Sequence, residues 1–176
     1  SNVPFGLTQD RIKLGAAYTG VEAWKFNGGV DWDNRERSYQ EVVTTREATV
    51  WGRATWQAQE ALALTFDLAY GDRNNSSYGV AYWFGDPNNP LMRKYNLASR
   101  DRRKAAARAD WAVSDTVSLG LGVDWVNDDY TQTMIGLQES ESTNISADIA
   151  VALSDDTHFH AFWQGEEMWT RQAGSQ

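Results

Sequence analysis

The chain has 176 residues, a net charge of −8 at pH 7 and a sequence pI of about 4.7. This length is typical of a single domain, and the acidic balance argues against a dedicated nucleic-acid binder. The sequence has no cysteine, which excludes disulfides, zinc–thiolate sites and covalently attached c-type haem. No apolar run reaches the roughly 18 residues that a transmembrane helix needs.

Eight stretches of the chain alternate between apolar and other residues with the period of a β-strand. In chain order, the apolar positions alternate within 12–18, 24–32, 48–56, 62–70, 105–113, 117–125, 145–153 and 157–163. None of these alternate positions carries a charge, whereas the intervening positions include Lys13, Lys25, Asp31, Arg53, Asp67, Arg108, Asp110, Asp124 and Asp148. The sequence therefore predicts eight strands with one apolar and one polar face. In this phase Trp51 and Phe162 fall on the polar face.

The connections between these stretches alternate in length. Short turns fall near 19–23, 57–61, 114–116 and 154–156, and long polar segments fall near 34–45, 72–101 and 127–142. Aromatic residues mark both strand ends, with Tyr18, Trp24, Trp56 and Trp111 beside the short turns and Trp32, Tyr70, Trp125 and Trp163 at the opposite ends. This layout is typical of an antiparallel transmembrane β-barrel with periplasmic turns and extracellular loops. A soluble β-sandwich also alternates in this way and is the alternative.

The two ends of the chain favour a piece of a larger barrel. Eight strands could close a small barrel by themselves. The chain starts with "SNVPFGLTQD" and stops with "MWTRQAGSQ", however, and both segments read as loops and not as closing strands. We therefore expect residues 1–176 to form a single β-barrel segment that does not close alone.

Four segments carry a resemblance to a known family. They are "NPLMRKYNLASRDR" after "YGVAYWFGDPN", together with "YQEVVTTREATVWGRATWQ", "NDDYTQTMIGL" and "HAFWQGEEMWTRQAGSQ". The first is similar to the signature loop of the MtrB/PioB family, the outer-membrane β-barrels associated with decahaem cytochromes, and the others are similar to that family's neighbouring strands and loops. The likeness covers essentially the whole chain and corresponds to the C-terminal part of a family member. Ser99 differs from the family pattern, which has Asp there.

The resemblance implies a barrel of more than twenty strands in the bacterial outer membrane, in contact with outer-membrane lipid. It implies that the barrel sheathes a periplasmic decahaem c-type cytochrome, lets it meet an extracellular multihaem cytochrome and supports electron transfer between them. The barrel would be no enzyme and would bind no cofactor, since the haem is carried by its partner cytochromes. The alternatives are a porin-like channel for small solutes and a soluble β-sandwich that binds sugar through exposed Trp.

A dense basic group lies between the fourth and fifth predicted strands, where 93–104 holds six of the sixteen basic residues. The partner-binding candidates are Arg93, Lys94, Tyr95, Arg100, Asp101 and Arg102. As an extracellular loop, they could cover the lumen mouth or meet carboxylates or haem propionates of the outer cytochrome. The alternative is a loop held by its own ion pairs, with Asp101 between Arg100 and Arg102 and Tyr95 packed underneath. The flanks lack the aromatic–basic interleaving of single-strand nucleic-acid binders.

The charges of the polar face are predicted to line the lumen. The lumen-facing candidates are Arg53, Asp67, Arg108, Asp110, Asp124 and Asp148. They could contact an enclosed cytochrome, or they could pair across strands and hydrate the lumen.

The two histidines, His158 and His160, lie two residues apart and share one strand face. Such a pair could ligate a metal or a haem iron, but no third ligand lies nearby in the sequence. The sequence therefore predicts a lumen-facing, hydrogen-bonded pair and no metal site.

The acidic pairs also favour structural roles. Adjacent strand residues face opposite ways, so the pairs at 128–129, 155–156 and 166–167 are poor acid/base couples. The first reads as a solvated loop and the second as a turn. A weak Ca²⁺ site near Asp72 or Asp128 is a further hypothesis. No GxSxG elbow is present, and no catalytic residues are predicted.

Overall fold

A computed structural model describes residues 5–79, 89 and 91–174, and these residues form one nine-stranded sheet. The strands are β1 (Leu7–Val21), β2 (Trp24–Arg37), β3 (Thr44–Gln59), β4 (Leu62–Asn75), β5 (Met92–Arg93), β6 (Arg100–Ser114), β7 (Val117–Asp129), β8 (Ile135–Ser154) and β9 (Thr157–Ala173). Eight of them pair antiparallel in the order β1-β2-β3-β4-β6-β7-β8-β9, and the short β5 pairs parallel with β8. Within these residues no helix is long and apolar enough to cross a membrane.

The eight predicted strands are confirmed, but they run further than the apolar alternation does. The predicted loops at 34–45 and 127–142 are wrong in extent, because only 38–43 and 130–134 lie outside the strands there. Most of "MWTRQAGSQ", predicted as a loop, belongs to β9. Within the predicted loop 72–101, β4 continues to Asn75, β5 lies inside and β6 begins at Arg100, while 80–88 and 90 lie outside the described residues. In these extensions most residues on both strand faces are polar, so the apolar alternation is lost although the backbone ladder continues.

The two faces of the sheet differ as predicted. The apolar face carries large side chains in the open, with Leu14 69% and Leu68 66% exposed. Near the short turns the aromatic side chains contact one another, since Trp24 stacks on its cross-strand partner Trp56 with ring centroids 5.5 Å apart. A soluble protein rarely exposes so extended an apolar surface, whereas lipid selects it. This observation favours the barrel over the sandwich.

The aromatic belt opposite the short turns crosses the hydrogen-bonded rows of the sheet at a slope. The row through Trp32 on β2 reaches β4, β7 and β9 at Asp72, Asp129 and Arg171. The belt residues are displaced from that row toward the short turns. The displacement is two residues at Tyr70, four at Trp125 and eight at Trp163. A stagger of about one residue per strand, at roughly 3.3 Å per residue and 4.8 Å between strands, means a tilt of about 35–45°, as β-barrels require.

Trp51, an aromatic residue that the strand phase places on the polar face, does lie on that face. Its indole ring covers two glycines of neighbouring strands, Gly15 and Gly29, and its Nε1 donates a hydrogen bond to Asp31 Oδ1 at 3.3 Å. A Cβ on Gly29 would lie 2.9 Å from this ring and 2.3 Å from the Leu14 carbonyl oxygen. Glycine is therefore required there to let the ring lie flat against the sheet.

The sheet has two unlike ends, which we call the turn end, with its short turns, and the loop end, with the β2–β3, β4–β6 and β7–β8 connections. The buried apolar residues among those described are Val42, Leu97, Ala98 and Tyr130, and all lie at the loop end. The β4–β6 connection is long enough to contact several neighbours. Gly79 donates its backbone N–H to the Glu41 carbonyl, and β5 pairs with β8 at Ile135. This connection therefore links the β2–β3 connection to β8 across the ends of the strands between them.

Candidate functional site

The polar face at the loop end carries two rows of charged side chains in cross-strand register. One row consists of Arg11, Asp33, Glu47, Arg73 and Arg100. The next row consists of Lys13, Asp31, Thr49, Gly71, Arg102 and Asp128. Gly71 leaves a gap in the second row, because an added Cβ would stand 3.0 Å from Thr49 Oγ1 and 3.8 Å from the Arg102 Cβ. Alternation along six strands thus places all these side chains on one surface.

Asp128 is a carboxylate of this surface that two arginines of β6 contact. Both of its oxygens accept hydrogen bonds from Arg102, from Nε and Nη2, each at 2.6 Å. Arg100 Nη1 stands 3.6 Å from the same carboxylate, and its Nη2 donates to Glu47 Oε1 at 2.6 Å. The hydrogen bond to Asp128 raises the pKa of Arg102 above its ordinary value. The prediction that Asp128 lies in a solvated loop is wrong, because its side chain is only 10% exposed.

The Arg73 side chain binds the backbone of the final part of the β4–β6 connection. Its Nε donates to the Ala98 carbonyl at 2.9 Å, and its Nη2 donates to the Tyr95 carbonyl at 2.6 Å. Burial, and then the nearby positive charge of Arg100, lowers the pKa of Arg73 to about 10. The guanidinium therefore stays charged at neutral pH and pairs with carbonyl oxygens in place of a carboxylate.

Some partner-binding candidates of this connection contact other side chains of the chain, and others are exposed. Lys94 forms an ion pair with Glu41, and the Arg93 guanidinium lies 4.4 Å above the centre of the Tyr78 ring. The predicted packing of Tyr95 underneath the loop is wrong, because its side chain is exposed. Ser99 is buried and hydrogen-bonds Asn75.

Asp101 does not bridge its two arginine neighbours. It alternates onto the opposite face from Arg100 and Arg102, where it is the cross-strand partner of Asp72. Burial, and then the Asp101 carboxylate, raises the pKa of Asp72. The predicted ion pairs of the loop are therefore present but use Glu41, Glu47 and Asp128.

A second carboxylate centre lies on β2. Asp33 accepts hydrogen bonds from Arg11 Nε and Arg35 Nε, both at 2.9 Å, and another from Gln9. Burial alone would raise the pKa of Asp33, but the bonds from Arg35, Gln9 and Arg11 together outweigh burial and lower it. Asp33 is thus held as a carboxylate between two guanidinium groups.

The lumen-facing candidates lie on the polar face, and five of the six form ion pairs with one another. Arg53 Nε is 2.5 Å from Asp67 Oδ1 on the neighbouring strand. Arg108 bridges Asp110 at 2.8 Å and Asp148 at 3.0 Å. Asp124 forms no ion pair within the described part of the chain. The pairing predicted as the alternative to partner contact is therefore present, and partner contact itself stays a prediction.

The histidines and the described acidic groups form no metal centre. His158 and His160 share the polar face at the turn end, and the His160 ring stacks on Phe162 with centroids 6.3 Å apart. Neither imidazole forms a hydrogen bond with a described residue, so hydrogen bonding of this pair stays a prediction. Residues 155–156 form the predicted turn. Among residues 5–79, 89 and 91–174, no three His, Asp or Glu side chains are close enough together to hold a metal ion, including near Asp72 and Asp128.

Sequence reasoning missed most of the loop-end surface. It did not single out Arg11, Arg35, Glu47 or Arg73, because they lie beyond the apolar alternation, in segments taken as loops or as unremarkable strand ends. The strand phase, extended beyond the apolar alternation, could have identified these residues. Extending the alternation of β4 past Tyr70 places Arg73 on the polar face, and the same step from Ala48 places Glu47 there.

The comparisons with known proteins agree with this geometry. Residues 1–176 match the family described as "Putative outer membrane beta-barrel porin, MtrB/PioB". The chain belongs to the MtrB/PioB family. It is also 37% identical over 174 residues to "Outer membrane protein MtrB" of Shewanella baltica (strain OS185), an alignment that covers 99% of this chain. The chain spans about a quarter of the length of that relative (25%).

Family membership confirms the predicted fold class and location. The nine strands belong to an outer-membrane β-barrel, so the apolar face meets lipid and the polar face lines the lumen. The sheet does not close on itself within the described residues, since β1 and β9 are its two edges.

Proposed function

We propose that the complete protein is an outer-membrane scaffold that sheathes a multihaem c-type cytochrome and supports electron transfer across the membrane. In this proposal the present chain is part of the barrel wall. A periplasmic decahaem cytochrome occupies the lumen and meets an extracellular multihaem cytochrome at the loop end. The partners carry the haem, and the wall catalyses no reaction and holds no cofactor.

The pairing of charges on the lumen face is the observation that best supports this proposal. A protein enclosed in the lumen removes the wall from water, and unpaired buried charges are costly. Arg53 already pairs with Asp67, and Arg108 pairs with Asp110 and Asp148. In this part of the wall, between the loop end and the turn end, the charges are therefore paired before any partner arrives, which lowers the cost of covering them.

We further propose that the loop end is extracellular. Short turns are periplasmic and longer connections are extracellular in bacterial barrels. Tyr95 projects into solvent at this end, and the Arg93–Tyr78 contact lies in the same connection. In the proposed complex, this connection is the part of the chain that meets the outer cytochrome.

Co-purification tests the proposal. The tagged full-length protein is isolated from detergent-solubilised outer membranes, and the eluate is examined by haem staining and Soret absorption. We expect a multihaem cytochrome in stoichiometric amount. A colourless barrel, isolated intact from cells that produce multihaem cytochromes, would contradict the proposal.

A porin-like channel is the second candidate, and the description of the matched family favours it. An empty lumen lined by charges such as Asp124 would pass small ions. Planar-bilayer recordings on the protein as purified separate the two candidates, since an open channel conducts steadily and a barrel filled by a cytochrome does not.

A further inference from the structure

The lumen face at the loop end contains a basin with more positive than negative charge. The cavity has a volume of about 520 Å³ and lies between side chains of β1, β2, β3, β4 and β6. Arg11, Lys13 and Arg35 line one side. Arg73, Arg100, Arg102 and Lys104 line the other side. We call this site the cationic basin.

The charges of the cationic basin do not balance. Seven of the sixteen basic residues of the chain line it, against the three carboxylates Asp31, Asp33 and Glu47. Even with Asp128, which binds Arg102 from beside the basin, seven cations face four carboxylates, a surplus of three. The whole chain has a net charge of −8, so this surplus runs against its overall composition.

Two side chains of the basin are not fully paired by the described residues. Lys104 is exposed and forms no ion pair with any residue that the structure describes, so an added carboxylate can reach its amine. Arg100 is 8% exposed, and its buried Nε has no hydrogen-bond partner among the described residues, although buried polar groups are normally hydrogen-bonded. The basin therefore has the surplus charge and, in Lys104, an exposed donor for an added carboxylate.

We propose that the cationic basin binds carboxylates on the surface of the protein that the barrel encloses. The inference rests on the proposed function and assigns to it a contact point. The basin faces the lumen, so the phosphates of outer-membrane lipids, on the other face of the wall, are not its ligands. Carboxylates can come from acidic side chains or from haem propionates of the enclosed cytochrome, and both offer the same chemistry to the basin.

Carbodiimide cross-linking of the intact complex tests this proposal. The reagent joins a lysine amine to a carboxylate as an amide and takes up the oxygen that is lost, becoming a urea. Lys104 and Lys13 lie in the basin, and Lys25 on the same face near the turn end is the matched control. We expect Lys104 or Lys13 to be joined to the cytochrome and Lys25 not to be. Mass spectrometry then distinguishes an acidic peptide from a haem propionate.

The outcomes separate this proposal from the proposed function. A cytochrome that co-purifies while Lys104 and Lys13 react only within the barrel chain, or not at all, overturns the basin proposal alone. A barrel without any cytochrome overturns both.

A charge-reversal pair gives an independent measurement. Lys104→Glu leaves no described carboxylate without its partner, because Lys104 forms no ion pair with the residues that the structure describes. We expect about threefold less cytochrome to remain bound to the full-length barrel after a salt wash, since like charges then face each other. Lys25→Glu should retain the wild-type amount. Equal retention by both variants would overturn the proposal.

Discussion

Asp128 joins two arginines of β6 at the loop end, and its replacement should be costly. Asp128→Asn leaves the guanidinium groups of Arg100 and Arg102 without their shared carboxylate. We expect the free energy of unfolding to fall by about 2–3 kcal/mol, since breaking a largely buried ion pair strands its partner. Urea unfolding of the full-length barrel in detergent, followed by tryptophan fluorescence, measures this loss.

The adjacent residue provides the control for that measurement. Asp129 is exposed and faces the other side of the sheet. Asp129→Asn should change the free energy of unfolding by less than about 0.5 kcal/mol. Similar losses for both variants would show that the Asp128 contacts do not stabilise the loop end.

We expect Asp33 to make a contribution to stability that is lost in acid. Its pKa is lower in the folded protein than its ordinary value of 3.8. The stabilisation is therefore complete above the unfolded pKa and is lost as the pH falls through the lower, folded value. The stability difference between the wild type and Asp33→Asn should be constant near pH 7 and shrink between about pH 4 and pH 2. A difference that grows on acidification would contradict the assignment.

At the scale of single residues, the sequence predicts the face of a side chain better than its partner. The polar placement of Trp51 and of Arg53 followed from strand phase alone. The partners of Arg102 did not, because Asp128 is 26 residues away in sequence and becomes a neighbour only through the register of β6 with β7. Asp101, adjacent in sequence, was expected in its place and faces the other way.

At the level of secondary-structure elements, Arg73 holds the β4–β6 connection in place. Arg73→Ala removes the hydrogen bonds to the carbonyls of Tyr95 and Ala98. We expect trypsin to cleave after Arg93 or Lys94 several times faster in the variant, because released loops are preferred sites of proteolysis. Intact cells should show the same difference if the loop end is extracellular. The control is Arg171→Ala, which removes an exposed ion pair with Glu139 at the same end.

The eight long strands could be predicted from the sequence, but their lengths could not. Apolar alternation is present only where one face meets lipid, and it stops at the aromatic belt. β8 continues from Thr143 to Gln138 with polar residues on both faces and then to Ile135, held by backbone pairing with β7 and β9. The short β5 has no sequence period at all, since two residues cannot show one.

At the scale of the whole molecule, the lipid-facing side of the wall can be tested by a pair of neighbouring positions. Leu64 lies on the apolar face, whereas Ala63 lies on the polar face opposite Asp110. Leu64→Arg should lower the free energy of unfolding by about 2 kcal/mol, because it places a charge in lipid. Ala63→Arg should be tolerated. Refolding titrations of the full-length barrel in lipid vesicles measure both, and equal costs would contradict the assigned faces.

The edges of the sheet show how the chain fits a larger barrel. β1 and β9 each have one side without a strand partner among the described residues. Unpaired backbone groups are not tolerated in lipid, so each of these two edges needs a further strand partner. The tilt read from Tyr70, Trp125 and Trp163 already matches that of a closed barrel. We therefore expect the isolated chain not to close.

If the complete protein sheathes an electron-transfer partner, electrons must cross a sealed membrane through it. The purified full-length protein, with whatever co-purifies, is placed in lipid vesicles that contain a reduced dye, and a membrane-impermeant oxidant is added outside. We expect rapid oxidation of the trapped dye without its release. Dye that leaks through the barrel, or dye that stays reduced although a cytochrome is bound, would overturn the proposed function.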